Sequence, residues 1–320
     1  MTDRARELNT RIIRSSVDWS CAGLLLADML AGRFTYRSKA EWCQRIESGE
    51  ITVNALPARP EQPLQLHDII EYRPGDIVEP AAQLDYHVVF EDESLLVIDK
   101  PGNLCMHPAG PFFKNTLWHL LATTCGEIHF LNRLDRETSG LLLAAKNGAA
   151  AAKINKKKLL SAKNYLVLVH GSFTAGLTAD GFLAKGNSIV RKKRTFSVEM
   201  PSSPPFESAS TTFTPLGSNG DFSLLAAELH TGRMHQIRAT LASLGYPVVG
   251  DKLYGVDERL YLKQKDESFT PEERAKLLLS RQALHSAELS FIHPVTGEKM
   301  SFSSPLPAEL ELFAKQQKLI

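Results

Sequence analysis

Residues 130–146 read FLNRLDRETSGLLLAAK, and the fold turns on how this stretch is interpreted. Leu141–Ala145 is an apolar run of strand length, suited to a strand buried in a core. Four charged residues (Arg133, Asp135, Arg136 and Glu137) stand just before it, with Thr138, Ser139 and Gly140 small enough for a tight turn. Charges that abut a core strand are unfavourable unless they are paired or functional. In an extended segment side chains alternate, so Arg133 and Asp135 face the same side. Two readings follow. One is a structural Arg133–Asp135 pair at a sheet edge, which physics alone favours; the other is a working carboxylate at Asp135.

A second stretch, LHTGRMHQIR at 229–238, is followed by ATLASLGYPVVGDKLYG. On a helix, Met234, Ile237, Leu241 and Leu244 make an apolar stripe, with Arg238 about 100° round from Ile237 on its margin. A guanidinium there requires a carboxylate, and Asp135 is the candidate. His235 reads first as a satisfied structural histidine, and Gly232 and Gly245 as turn residues.

Outward from these stretches the pattern mixes strands and helices without a regular βαβ beat, which predicts an α+β class. Tyr86–Phe90 and Leu95–Ile98 read as a hairpin across the acidic turn 91–94, ending at Lys100-Pro101-Gly102. Asn147 is placed to cap a helix over Gly148–Leu160, followed by a strand at Tyr165–Val169. Further strands are expected at 209–215 and 222–229, then a helix starting near Arg233. Towards the N-terminus, Ser38-Lys39-Ala40-Glu41 is a capping box, with Ala40, Cys43 and Ile46 as its helix's apolar face and Gly49 as its stop. Short strands at 51–53 and 69–72 flank a proline-broken segment, the turn Pro74-Gly75-Asp76 follows, and 77–84 reads as a linker.

With 320 residues, two domains are expected, divided as 1–80 and 81–320. A 43% hydrophobic, 23% charged composition excludes a wholly disordered chain, and no apolar run reaches the ~20 residues of a membrane helix. The polar N-terminus lacks a secretory pattern, and four scattered cysteines without a C-x-x-C pair fit reduced thiols in the cytoplasm. Net charge is only +1, but 138–179 holds no acid and six lysines (146, 153, 156, 157, 158 and 163). A second basic block has Lys185 and Arg191-Lys192-Lys193-Arg194. Such patches suit an anionic polymer, although lysines at 156–158 also suit a helix end.

The words NRLDRETSGLLL and TGRMHQIR, with GYPVVGDKLYG, resemble the RluA group of RNA pseudouridine synthases. EDESLLVIDKPGNLCMHPAG, KNYLVLVHG and LHSAELSFIHPVTGE are weaker family words, and the likeness runs from about Tyr86 to the C-terminus. The RsuA group, with a glycine before R-L-D, fits less well. Separately, YRSKAEWCQRIESGEITVN and LHDIIEYRPGD resemble an S-four-like (alpha-L) RNA-binding module over about Arg11–Tyr72, in which Arg33, Arg37, Lys39 and Arg45 would meet phosphates beside a helix start.

The first resemblance implies a pseudouridine synthase fold, a mixed and mainly antiparallel sheet flanked by helices and loops, preceded by the small alpha-L domain. It implies an isomerase that breaks uridine's glycosidic bond, turns the uracil and rejoins it through carbon-5, with no metal or organic cofactor. Asp135 matches the essential aspartate, acting as nucleophile or as base at the sugar. Tyr165 matches the tyrosine against the target base, Arg238 the aspartate's partner, Arg133 the arginine that enters the stack as the uridine flips out, and Ile237 an apolar wall. Asn132 departs from the family, which usually has histidine there. The implied partner is RNA, ribosomal in preference to transfer RNA, and no membrane; oligomeric state is not legible. Alternatives are a non-catalytic RNA-binding or ribosome-assembly factor that keeps the fold, and a glycosidase using Asp135 with Glu137, whose two carboxylates sit too close in one segment to flank a bond.

Overall fold

The computed structural model describes residues 11–34, 37–75, 78–190, 192–264 and 268–320. The expected turn residue Asp76, the linker start Ile77, Arg191 of the basic block and residues 1–10 of the N-terminal reading lie outside these. The described residues form two units. One runs up to Pro80 and takes in Ala109–Lys114; the other comprises Ala81–Pro108 and Asn115–Ile320. The loop 109–114, which the sequence left with the second domain, is bound to the first because Glu79 accepts the N–H groups of Phe113 (2.8 Å) and Lys114 (2.7 Å).

In the first unit β1 (Ile13–Ser16), β2 (Ile51–Val53), β3 (Leu56–Pro57) and β4 (Ile69–Tyr72) form an antiparallel sheet in the order β1-β4-β2-β3. Helices α1 (Leu26–Arg33) and α2 (Lys39–Glu47) complete it. The capping box is present: Ser38 Oγ accepts from the Glu41 N–H, and the Glu41 carboxylate accepts from the Ser38 N–H. The buried face of α2 is Trp42 and Ile46, not one that includes Ala40, which is exposed. The large indole displaces the small residue from the inward position, fully buried edge-on against Tyr72 at 5.3 Å between ring centroids.

The second unit is built on one large sheet. Its elements are β5 (His87–Glu91), β6 (Leu95–Lys100), α3 (Leu117–Thr124), β7 (His129–Phe130), β8 (Ser139–Ala145), α4 (Gly148–Lys157), β9 (Leu160–His170), β10 (Leu177–Lys185), β11 (Arg194–Ser197), β12 (Phe206–Ser218), β13 (Phe222–Leu229), α5 (Gln236–Ser243), α6 (Arg259–Lys263), α7 (Pro271–Leu277), β14 (Leu284–Ile292), β15 (Lys299–Ser303) and α8 (Ala308–Gln316). The strand order is β11-β10-β12-β13-β9-β14-β8-β6-β5, with β15 added to β14 and β7 to β8. Among the described residues only β8 and β14 run parallel, so the α+β class holds. The β5–β6 hairpin forms where expected, its acidic turn closed by Asp92 accepting from the Ser94 and Leu95 N–H groups, both at 2.7 Å.

All seven residues of β8 are buried because alternate side chains enter different cores. Leu142 and Ala144 pack with Leu96, Ile98 and Val167, whereas Leu141, Leu143 and Ala145 pack with Ile154, Leu289 and Phe291. Gly140, at φ +106°, lets β8 meet β14: a Cβ there would lie 2.3 Å from the Ser286 carbonyl oxygen. That close approach gives the T-S-G word its physical meaning.

Two helix expectations shift. Asn147 caps α4 by accepting from the Ala150 N–H at 2.8 Å, but the helix ends at Lys157 rather than Leu160, because Leu160 is already paired with Phe291 on β14. Lys156 and Lys157 then sit in the last turn, where cations complement the helix dipole. Helix α5 begins at Gln236, so Met234 precedes it; Gln236–Leu241 are all buried, and Arg238 is in the interior rather than on a margin.

Candidate active site

The segment between β7 and β8 carries Asp135 and is pinned from several directions. Asn132 Oδ1 accepts the Leu143 N–H at 2.7 Å, binding the segment to β8; an amide suffices for this, which is a structural use for the residue that replaces the family's usual histidine. The buried Lys100 ammonium donates to the carbonyls of Pro101 (2.7 Å), Leu104 (3.1 Å) and Arg136 (3.2 Å). Burial lowers its pKa to about 7. Glu137 is held by Lys252 at 2.7 Å and is not among the residues that line the cleft with Asp135, which removes the glycosidase pairing.

Asp135 and Arg238 meet as expected, Nη1 donating to Oδ2 at 2.7 Å. The structure adds a second carboxylate. Asp251, with its side chain fully buried, accepts from Arg238 Nε (2.6 Å) and Nη2 (2.8 Å) in a bidentate fork. Its Oδ1 also accepts the N–H groups of Leu253 (2.9 Å) and Tyr254 (3.0 Å). The turn that delivers Asp251 depends on Gly250 at φ +74°, where a Cβ would lie 2.1 Å from the Arg281 carbonyl oxygen. The Tyr254 ring lies under the guanidinium at 5.0 Å. Arg238 is thus fixed by Asp251 and Tyr254, with one edge left for Asp135.

Burial by itself would raise the pKa of Asp135, but the Arg238 charge and hydrogen bond outweigh it and hold the carboxyl below its ordinary range. About a quarter of its side chain remains exposed, so the ionised group faces the cleft. Asp135 therefore combines charge, fixed position and access.

The cleft is lined by Arg133, Asp135, Tyr165, Ile237 and Arg238, together with Leu229, Arg233 and His235. All five residues singled out in the sequence thus converge on one site. Tyr165, on β9, is buried, and burial pushes its pKa up to about 12. Arg133 is exposed and makes no ion pair with Asp135 among the described residues, so the sheet-edge pair that physics alone favoured does not form; Arg238 has taken the carboxylate.

Sequence reasoning missed Asp251, Tyr254 and Gln236. Gln236 donates to the Ser210 carbonyl (3.0 Å) and Thr211 hydroxyl (2.8 Å) and accepts from the Thr231 hydroxyl and the Arg233 N–H, fixing the turn before α5. The words VVGD and HQIR were visible, but nothing in their spacing showed what they touch. His235 occupies the left-handed region (φ 58°) with Nδ1 3.0 Å from the Tyr254 hydroxyl and Nε2 3.8 Å from Asp135.

Burial lowers the His235 pKa to about 4, so it is neutral in the folded protein at neutral pH. An unfolded histidine binds its proton near pH 6.5, so stability is full above that value and falls as pH drops towards 4. The melting temperature should decline over that window, and less so in His235→Asn, which tolerates the left-handed backbone. Equal slopes for both proteins would contradict the assigned burial.

Residues 94–243 match the family model of the RNA pseudouridylate synthases. The "Ribosomal large subunit pseudouridine synthase D" of Xanthomonas campestris is 30% identical over 97% of this chain and 94% of its own. The RNA pseudouridine synthase YhcT of Bacillus subtilis is 32% identical over 76% of each chain. Among solved structures, human RNA Pseudouridylate Synthase Domain Containing 4 shares the fold, with a TM-score of 0.56 at 22% identity over 73% of this chain and 93% of its own. The chain belongs to the RNA pseudouridine synthases, in the RluA group, and is an isomerase acting on uridine in RNA.

Proposed function

We propose that this enzyme isomerises a uridine of ribosomal RNA, in the cytoplasm, through the ionised carboxylate of Asp135. The observation that carries this is the Asp135–Arg238–Asp251 arrangement at the floor of an open cleft. The bond from the ribose to N1 breaks, the bond to carbon-5 forms, and the carbon-5 proton is released while N1 gains one. Asp135 acts at the ribose, Tyr165 and Ile237 wall the detached base, and Arg238 keeps the carboxylate charged. The ribosomal choice follows the relative named for the large subunit. Purified protein should form pseudouridine in ribosomal RNA and not in transfer RNA; conversion confined to transfer RNA would contradict that choice.

Arg133 supports a flipping role because it is exposed at the cleft and, among the described residues, holds no carboxylate. A planar cation can fill the place of an extracted base. Extraction costs a few kcal/mol, and less where the base is already unpaired. Arg133→Ala should therefore lose most of its single-turnover rate on a stacked uridine and regain part of it when the same uridine sits in a mismatched loop. Equal fold-losses on the two RNAs would reject the role.

The first unit is assigned an RNA-binding function, with a narrower footprint than its cation count suggests. Lys39 is paired with Asp28, and Arg45 with Glu50. The start of α2 is already partly occupied by its capping box, in which the Glu41 carboxylate takes the Ser38 N–H and the Ser38 hydroxyl takes the Glu41 N–H. Arg33, exposed beside the Phe34 ring, is the cation put forward for a phosphate, while Arg37 lies beside the Trp42 ring. Replacing Arg33 by glutamine should lower the slope of log affinity against log salt by about one. An unchanged slope would take the unit off the RNA.

A further inference from the structure

Lys163 lies on β9 two residues before Tyr165, so both side chains leave the same face of the strand, about 7 Å apart. It is half-buried, yet among the described residues its ammonium has no ion pair or hydrogen bond. It rests against the turn before α5: a Cβ on Gly232 would lie 3.3 Å from its Nζ. The charge that acts on it is another cation, Arg233, and burial together with that repulsion lowers its pKa. Arg233 lines the cleft and is held in place, Nε donating to the Ser208 carbonyl at 3.1 Å and Nη1 lying 3.4 Å from Glu207.

Lys163 is drawn partly out of water beside a second cation, the exposed Arg233, and among the described residues it has no acceptor, an unfavourable arrangement that an anion would relieve. The cleft's own carboxylate does not serve, because Asp135 is turned to Arg238. A uridine whose ribose reaches Asp135 and whose base lies against Tyr165 carries a phosphodiester on each side of its sugar. We propose that Lys163 and Arg233 form a phosphate subsite at the rim of the cleft, which takes a backbone phosphodiester flanking the target uridine. The inference rests on the assignment of the cleft to the flipped nucleotide. The subsite holds the backbone in its rotated position; Lys163 acts as a point charge, reading no sequence.

The test uses full-length protein and a stem-loop of ribosomal RNA containing a uridine that the wild type converts, in three forms: native, and with an uncharged methylphosphonate on either side of that uridine. Lys163→Gln should lose about tenfold in kcat/KM on native RNA, and Lys163→Arg should recover much of it. The wild type should lose a similar factor with one of the two methylphosphonates, and Lys163→Gln should lose no more than about twofold further with the same RNA. Because Lys163 has no partner among the described residues, Lys163→Gln should melt no lower than the wild type, whereas loss of a structural lysine would lower the melting temperature. Losses that multiply for both methylphosphonates would overturn the proposal, as would a Lys163→Gln enzyme with undiminished kcat/KM. A free anion in the subsite would leave the wild type indifferent to the methylphosphonates, which also overturns it. A wild type that bound the RNA and converted no uridine would instead overturn the assignment of the cleft, and the subsite with it.

Discussion

Asp135→Asn should lower the rate of pseudouridine formation on the order of a thousandfold or more while leaving the melting temperature and RNA affinity close to wild type. The substitution keeps the shape and one acceptor oxygen facing Arg238, so the buried guanidinium retains Asp251 and part of its contact with the loop. It removes the negative charge, which both proposed roles at the ribose require. Release of tritium from RNA labelled at uridine carbon-5 measures the reaction directly, since that hydrogen leaves whenever the new bond forms. Conversion at more than a few per cent of the wild-type rate would remove Asp135 from the chemistry. An inactive wild type that still bound RNA would favour the non-catalytic alternative.

Arg238→Ala should damage both stability and activity. The side chain bridges two carboxylates, and Asp251 has no exposure through which water could replace it. Breaking a buried pair from one side typically costs about 3–5 kcal/mol, so a large fall in the denaturant midpoint is expected. Activity should fall for a second reason. Burial raises the Asp135 pKa and Arg238 reverses that rise, so the variant's carboxyl takes its proton at higher pH. The acid limb of the pH–rate profile should therefore move upward. Arg238→Lys keeps a charge but cannot hold both carboxylates in a planar fork, so it should fall between the two. A stable Arg238→Ala protein with an unmoved acid limb would show that Asp135 does not depend on this partner.

Local signals in the sequence were legible because they act over a few residues. The capping box at Ser38 and Glu41, the Asn147 cap, the acidic hairpin turn and the buried run of β8 each depend on neighbours within one turn or one strand. Helix ends were less legible, since α4 stops where Leu160 is claimed by a strand more than a hundred residues away. In the site, the reactive pair was inferred by asking which carboxylate a buried guanidinium could have. The same question has two answers, and the second, Asp251, arrives through a turn that only Gly250 permits. Proximity in sequence misled in the opposite direction at Arg133, which lies two residues from Asp135 along the chain yet yields it to Arg238, 103 residues away.

The most direct test is a pseudouridine map of ribosomal RNA from cells lacking this protein, complemented either by the wild-type chain or by Asp135→Asn. At least one ribosomal pseudouridine should vanish in the deletion strain, return with the wild type and stay absent with Asp135→Asn. A map that is identical in all strains, or one restored equally by both chains, would contradict the proposal that this enzyme modifies ribosomal uridine through Asp135.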